Sequence, residues 1–146
     1  MKLTFAVPGK VRGKQRPKFA RVGNFVRTYT PEQTVNYENW VKTCFMEAYP
    51  NWKPTEKPLI VGIRAFFVRP KTNKEYHPTT VRLDCDNVAK AVCDSLNGIA
   101  YKDDKQIIGL TVGKLWGEIE TVLVDIELVD IPEQTKQHIK RTKTAK

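Results

Sequence analysis

A chain of 146 residues, 40% hydrophobic and 28% charged, is long enough for one domain with a packed core and needs no disulfide or structural zinc to hold it. Its formal charge of +9 favours a polyanionic partner, and its three scattered cysteines, Cys44, Cys85 and Cys93, lack metal-ligand spacing and read as buried thiols of a reducing compartment. Neither "MKLTFAVPGK" nor "LIVGIRAFFV", which Arg64 interrupts, has the apolar length of a signal peptide or a bilayer span, so a cytoplasmic protein without membrane attachment is expected.

Lys2 to Val7 reads as a strand closed by Pro8-Gly9. The following "KVRGKQRPKFARVGNFVR" carries seven basic residues and no acid, and Gly23-Asn24 between "FARV" and "FVRTY" is a two-residue hairpin signal, so an exposed cationic ribbon is expected. "TPEQTVNYENWVKTCFMEAYP" is the clearest helix start. Thr30 is the expected N-cap, Pro31 the first helical residue and Gln33 the partner completing a capping box. Tyr37, Val41, Cys44, Phe45 and Ala48 supply its apolar face, and Pro50 ends it.

Leu59 to Val68 is apolar at nearly every position, which suits a central strand covered on both faces. The polar "RPKTNKEYHPTTVR" is a long loop of the kind that carries function. Ile107 to Leu115 and Glu118 to Val129 read as two further strands; in the second, Val122, Val124, Ile126 and Leu128 form the buried face. Residues 1–130 are the expected domain, and residues 131–146 a basic tail without an apolar face, compatible with disorder. The expected class is α+β: a single domain with a mixed β-sheet and two main helices packed on it.

Between Leu83 and Ile107 lies the unusual segment. "LDCDNVAKAVCDSLNGIAYKDD", residues 83–104, holds five acids and two lysines, so it is −3, and the 23 basic and 11 acidic residues elsewhere make the rest +12. A helix starts near Asp84 and ends at Leu96, with Asn97-Gly98 as its C-cap signal. Cys85, Val88, Ala89, Val92, Cys93 and Leu96 fall on one side of it, and Asp86, Lys90 and Asp94 line the flank. The bland reading makes the D-x-D pair helix caps and Asp86–Lys90 an ordinary i,i+4 ion pair worth a few tenths of a kcal/mol. If instead Asp84, Asp86 and one of Asp103 or Asp104 converge, charges ~4 Å apart repel by roughly 4 kcal/mol at an effective dielectric of 20, about three pK units. A divalent cation removes that conflict. All-oxygen ligands favour Mg²⁺ or Mn²⁺, and such an ion in a basic surface can polarise a phosphodiester and activate a water.

"DCDNVAKAVCDSLNGIAYKDDKQI" closely resembles the D-x-D-N-x-x-K, D-x-L-N-G and D-D-x-Q core of the RusA family of Holliday-junction resolvases. "GKQRPKFAR" with "YTPEQTVNYE" is similar to that family's basic N-terminal segment and first helix, and "KLWGEIETVLVDIEL" to its last two strands, so the likeness spans roughly residues 1–129. The resemblance implies an α+β homodimer that cuts four-way DNA junctions with Mg²⁺ or Mn²⁺. It places the metal-binding carboxylates on Asp84, Asp86 and Asp104 and the catalytic lysine on Lys90. Arg82-Leu83 stands where many relatives have Lys-Pro.

Asp103, Asp94 and Asn87 are then expected to support the ligands or the local fold. DNA contacts are expected from Lys10, Arg12, Lys14, Arg16, Lys18, Arg21 and Arg27. Tyr29 and Phe25 read as core residues, with stacking on exposed junction bases as the rival. His77 reads as a loop residue, and Trp40, Trp52 and Trp116 as packing or subunit-interface residues. Two other functions compete: a metal-dependent nuclease for other branched or flap DNA, and a non-catalytic basic DNA-binding module.

Overall fold

A computed structural model describes residues 1–133, 140, 141 and 143; most of the basic tail expected to be disordered therefore lies outside the described residues. The architecture is α+β in a single domain. Six strands run Lys2–Pro8 (β1), Lys18–Val22 (β2), Phe25–Tyr29 (β3), Leu59–Val68 (β4), Ile107–Gly117 (β5) and Thr121–Leu128 (β6). Two helices, Glu32–Ala48 (α1) and Cys85–Ser95 (α2), precede β4 and β5 respectively. The main sheet has the order β1-β6-β4-β5, with β4 antiparallel to β6 and parallel to β5, while β2 and β3 form a separate antiparallel ribbon.

Both helices lie on one face of the sheet. Leu3, Phe5 and Val7 of β1, Leu59, Val61, Ile63, Ala65 and Phe67 of β4, and Val122, Val124, Ile126 and Leu128 of β6 point into the core. They meet Tyr37, Val41 and Phe45 of α1 and Val88, Ala89, Ala91 and Val92 of α2. Phe5 and Phe45 stack edge to face with ring centroids 5.3 Å apart.

Several expectations change here. β4 is central but packed on one face only: its burial alternates strictly, leaving Ile60, Arg64 and Val68 exposed, because none of the elements among the described residues covers the outer side of the sheet. Helix α1 is capped at Pro31, whose carbonyl accepts from the Thr34 and Val35 N–H groups at 3.0 and 3.2 Å, and no side chain caps it. Thr30 lies outside the helix, and Gln33 instead accepts from the Gln15 side chain at 3.3 Å. Ala48 is exposed on the last turn, and Thr34 is buried in its place on the inner face. On α2, Cys85 is only half-buried, and Ala91 and Ser95 join the buried side.

Of the three tryptophans, Trp52 and Trp116 pack against the core and Trp40 is exposed, yet all three are tied to the main chain. Their indole N–H groups donate to the main-chain carbonyls of Pro8 (Trp40, 2.7 Å), Ala100 (Trp52, 2.9 Å) and Glu75 (Trp116, 3.1 Å). The last of these, with the Lys114 ammonium donating to the Val81 carbonyl at 3.0 Å, folds the long 69–84 loop back onto β5. None of the helices among the described residues is long and apolar enough to cross a membrane.

Candidate active site and nucleic-acid interface

The acidic segment is built on buried backbone. The apolar side of α2 fixes the helix against the sheet, so the orientation of its flank is set by packing and not by the charges. After α2, Gly98 takes φ +77° and its N–H donates to the Tyr101 carbonyl at 2.7 Å, reversing the chain. Tyr101 is fully buried beneath α2, and its hydroxyl donates to the Cys93 carbonyl at 2.6 Å. The next turn, a short 3-10 helix over Asp104–Gln106, is closed by a capping box. The Asp103 carboxylate accepts the Lys105 N–H at 2.9 Å, and the Gln106 side-chain oxygen accepts the Asp103 N–H at 2.8 Å. The Gln106 amide also donates to the Thr55 and Lys57 carbonyls at 2.8 and 3.0 Å, tying the turn to the entry of β4. Asp104 is therefore delivered by a turn held from both sides.

Two clefts meet at Asp86. The first, of about 980 Å³, is lined by the basic segment from Lys10 to Lys18 and by Arg82, Leu83, Asp84, Asp86 and Asn87. The second, of about 540 Å³, is lined by Asp86, Lys90, Asp94 and Asp104 together with Cys93 and the start of β5. Between Leu59 and Ile60 the β4–β5 register shifts by one residue, which leaves Ile108 unopposed and exposed in the wall of that second cleft.

The charged residues divide into those the local structure engages and those it leaves open. Asp84 occupies the N-cap position of α2 but makes no capping hydrogen bond, so its carboxylate is not consumed by the helix. Lys90 makes no ion pair among the described residues, with Asp86 or any other acid. Asp94 instead receives the Lys14 ammonium at 3.4 Å. Asp103 is the cap of its turn, and Lys105 N–H donation holds its carboxyl below the usual range. Asp104 moves the other way: burial first, then the hydrogen bond and charge of Asp103 and the charge of Asp94, push its carboxyl above the usual range. Cys93, which borders the same cleft, is pushed up to about 11 chiefly by burial and stays a protonated thiol, a poor ligand and nucleophile.

Asp86 shares the lining of the first cleft with Asp84 and that of the second with Asp104. The structure does not close the three into one ligand set: among the described residues no three acidic, His or Cys side chains stand close enough to hold a metal ion. The donor chemistry itself fits a hard divalent ion. The side chains offer oxygen only, Asp84 is uncapped, and Asp104 is an anion disfavoured by acidic neighbours that a cation would relieve.

The basic segment is moored at one end and free at the other. The Glu120 carboxylate accepts the Val11 N–H at 2.9 Å, and the Gln15 N–H donates to the Thr34 hydroxyl at 3.2 Å. Gly13 lies flat against α2: a Cβ there would stand 2.6 Å from Leu83 Cδ1 and 3.0 Å from Asn87 Cβ. The Lys14 N–H donates to the main-chain carbonyl of Asn87 at 2.9 Å, and the Lys14 ammonium bridges Glu38 and Asp94 at 2.5 and 3.4 Å. Burial works to lower the Lys14 pKa, but these two carboxylates outweigh it and hold the ammonium above its usual range. Lys14 is thus an internal clasp and not a free phosphate contact. Lys10, Arg12, Arg16 and Lys18 line the first cleft, and Arg21 and Arg27 stand on the ribbon beyond it. The glycine and the clasp had no signal in the sequence beyond an ordinary "GK" in a charged run. The Asp103–Gln106 box did have one, the D-x-x-Q spacing.

The expectation that Phe25 and Tyr29 belong to the core is overturned. Both are exposed, because β2 and β3 pack on each other and, among the described residues, no helix or sheet packs closely under them. His77 is where a loop residue was expected, its ring 4.7 Å from that of Tyr76.

Comparison with known proteins agrees with this layout. The chain matches the endodeoxyribonuclease RusA family over residues 8–127, a span that contains the basic segment, both clefts, β2 to β5, all of β6 but Leu128, and only the last residue of β1. A protein of Bacillus subtilis (strain 168), the uncharacterized protein YqaN, is 28% identical over 139 residues, covering 87% of this chain and 96% of that protein. The chain belongs to the RusA family, and its class of chemistry is endonucleolytic cleavage of DNA.

Proposed function

We propose that this RusA-family endonuclease resolves four-way DNA junctions by paired, divalent-metal-dependent cuts, working as a homodimer in the cytoplasm in recombination and repair. The observation that carries the reading is the position of Asp86, where a cationic trough able to hold a phosphodiester backbone runs into an acidic cleft. Asp84, Asp86 and Asp104 would hold Mg²⁺, or Mn²⁺ in its place, and that ion would supply positive charge at the scissile phosphate and make a water more acidic.

The remaining work falls to the chain's own side chains. Lys10, Arg12, Arg16 and Lys18 bind phosphates on either side of the one to be cut and set the strand's path. Lys90, unpaired and on the same helix flank as Asp86, places its ammonium against the reacting phosphate, where it orients the attacking water or stabilises the growing charge. Asp103 and Gln106 keep Asp104 in place, and Asp94, through Lys14, keeps the basic segment against α2. A two-fold dimer with one site per subunit meets the need for two symmetric cuts.

The deciding experiment is cleavage of a fixed synthetic four-way junction, a flap and a plain duplex, each with Mg²⁺ and with EDTA. Mg²⁺-dependent, symmetric cutting of the junction above the other two substrates is expected. Preferential cutting of the flap would assign the enzyme to other branched DNA. The absence of divalent-dependent cutting on all three would leave only a binding module.

A further inference from the structure

Beyond Lys18 at its root, the ribbon formed by β2 and β3 has no part in the proposed reaction. It is a two-stranded arm with no core. Phe25 is 79% and Phe19 73% exposed, and Val22 and Val26 are also open to solvent. A short arm carrying this much apolar surface is a poor design for a chain that keeps it in water, and single exposed apolar residues would need no explanation where a cluster does.

Register fixes what the arm presents. Val22 pairs with Phe25 across Gly23-Asn24, Ala20 with Arg27, and Lys18 with Tyr29, so these six side chains share one face. Gly23 takes φ +60° and Asn24 does not take a positive φ, the pattern of a type II′ turn whose twist suits a tight, straight hairpin. The turn puts Phe25 at the far end, with Arg27 and then Lys18 behind it toward the body. From the Lys18–Tyr29 pair to the tip the arm reaches roughly 14 Å at the usual rise per strand residue.

We propose that this arm is a junction probe: the Phe25 ring stacks on a base left unstacked at the branch point, while Arg27 and Lys18, on the same face, hold the flanking phosphates. The occupant is nucleic acid and not a second copy of the arm, because residues 10–31 carry seven positive charges and no negative one, and two such arms would repel. Duplex DNA offers phosphates but no free base face, whereas a branch point offers both, so the ring distinguishes the two substrates where the cations do not. The inference rests on the proposed junction specificity and deepens it by naming the feature of the DNA that is sensed.

The test is binding of the full chain, in EDTA so that no strand is cut, to a fixed four-way junction and to a duplex of the same arm sequence. A 2-aminopurine at the branch point reports base stacking. Phe25→Ala, a change at an exposed position, is expected to weaken junction binding on the order of tenfold, to leave duplex binding within about twofold, and to abolish the change in 2-aminopurine emission. Phe25→Trp is expected to restore all three readouts, and Phe25→Leu to restore none fully. Equal junction binding by Phe25→Ala and the parent chain overturns the inference, and so does an equal loss on junction and duplex. A parent chain that shows no preference for the junction overturns it as well. Failure of Mg²⁺-dependent cutting by the parent chain, measured separately, strikes the nuclease reading and leaves these binding results to decide the probe.

Discussion

The acidic module of residues 83–106 and the basic arm of residues 10–29 meet at the cleft that Asp84 and Asp86 line, and they are built on opposite principles. The module hangs from buried groups: α2 is packed on the sheet, Tyr101 is sealed beneath it, and Gln106 grips the entry of β4. The arm has no core beneath its outer half and is tied only at its root, by Val11 to Glu120, Gly13 and Lys14 to α2, and Gln15 to α1. Carboxylates that must hold an ion need fixed positions, and a rigid base supplies them. A surface that must follow a flexible polyanion gains from freedom at its tip and needs only its root to be placed.

Substitution on each side of that divide is the strongest way to break the comparison. Asp86→Asn is expected to lower Mg²⁺-dependent junction cleavage by at least the order of 10²-fold, the scale of losing one group that acts on a transition state. Junction binding should persist or tighten, because a negative charge beside the phosphates is gone. Asp84→Asn and Asp104→Asn should behave alike. Joint loss of binding and of the circular-dichroism spectrum would instead mean that these acids serve the fold.

The arm is next, and its signature is salt. If Lys10, Arg12, Arg16, Lys18, Arg21 and Arg27 each neutralise one phosphate, log K for duplex binding falls with log salt at a slope near −5, roughly a thousandfold between 50 and 200 mM. The Asp86→Asn protein should keep that slope. A flat titration would remove the arm from the interface.

Much of this division was legible before any coordinates. The charge asymmetry, the hairpin at Gly23-Asn24 and the alternating face of β6 all depend on local pattern, and all appear where expected. The errors share a cause: each needed knowledge of what lies opposite. The apolar run of β4 reads as doubly covered, yet its outer side chains meet no layer among the described residues. Thr30-x-x-Gln33 has the spacing of a capping box and is not one, because Gln33 is engaged by Gln15 from another segment. Asp103-x-x-Gln106 has the same spacing and is one, held by partners 49 and 51 residues away. Phe25 reads as a core residue by its type, yet its ring is left exposed among the described residues. Of the site, the residues that line the clefts were legible from the acidic pattern, while the separation of Asp84 and Asp104 by Asp86 was not, since it is set by how the Gly98 turn and Tyr101 seat the second acidic pair.

Gly13 tests the root that joins the two regions. Alanine there brings a Cβ to 2.6 Å from the tip of Leu83, which can rotate away, and to 3.0 Å from Asn87 Cβ, which is anchored on α2 and cannot. Overpacking of this kind costs about 1–3 kcal/mol, or the segment lifts from α2 and takes Lys14 with it. Either way junction affinity and cleavage should fall together, in contrast to Asp86→Asn, and thermal unfolding should show a lower midpoint. A variant with unchanged affinity would show that the root does not need this close approach.

The smallest effect is expected at Asp103, and it is informative for that reason. Asp103 lies beside a proposed metal ligand, so it could act through its charge, but its carboxylate is already engaged with the Lys105 N–H. Asparagine keeps an oxygen in the same place and caps a helical turn about as well as aspartate. If the role is the cap, Asp103→Asn should retain stability and Mg²⁺-dependent cleavage to within about twofold. The Asp104 carboxyl should then move down toward its ordinary range, since one of the forces raising it is gone and burial remains. Asp103→Ala removes the acceptor as well; it should loosen the turn and lower cleavage while the core under α2, reported by the Tyr101 environment, stays intact. Should Asp103→Asn silence the enzyme as fully as Asp86→Asn, the charge of Asp103 would belong with the ligands, and the acidic module would be holding its ion with the pair 103–104 and not with Asp104 alone.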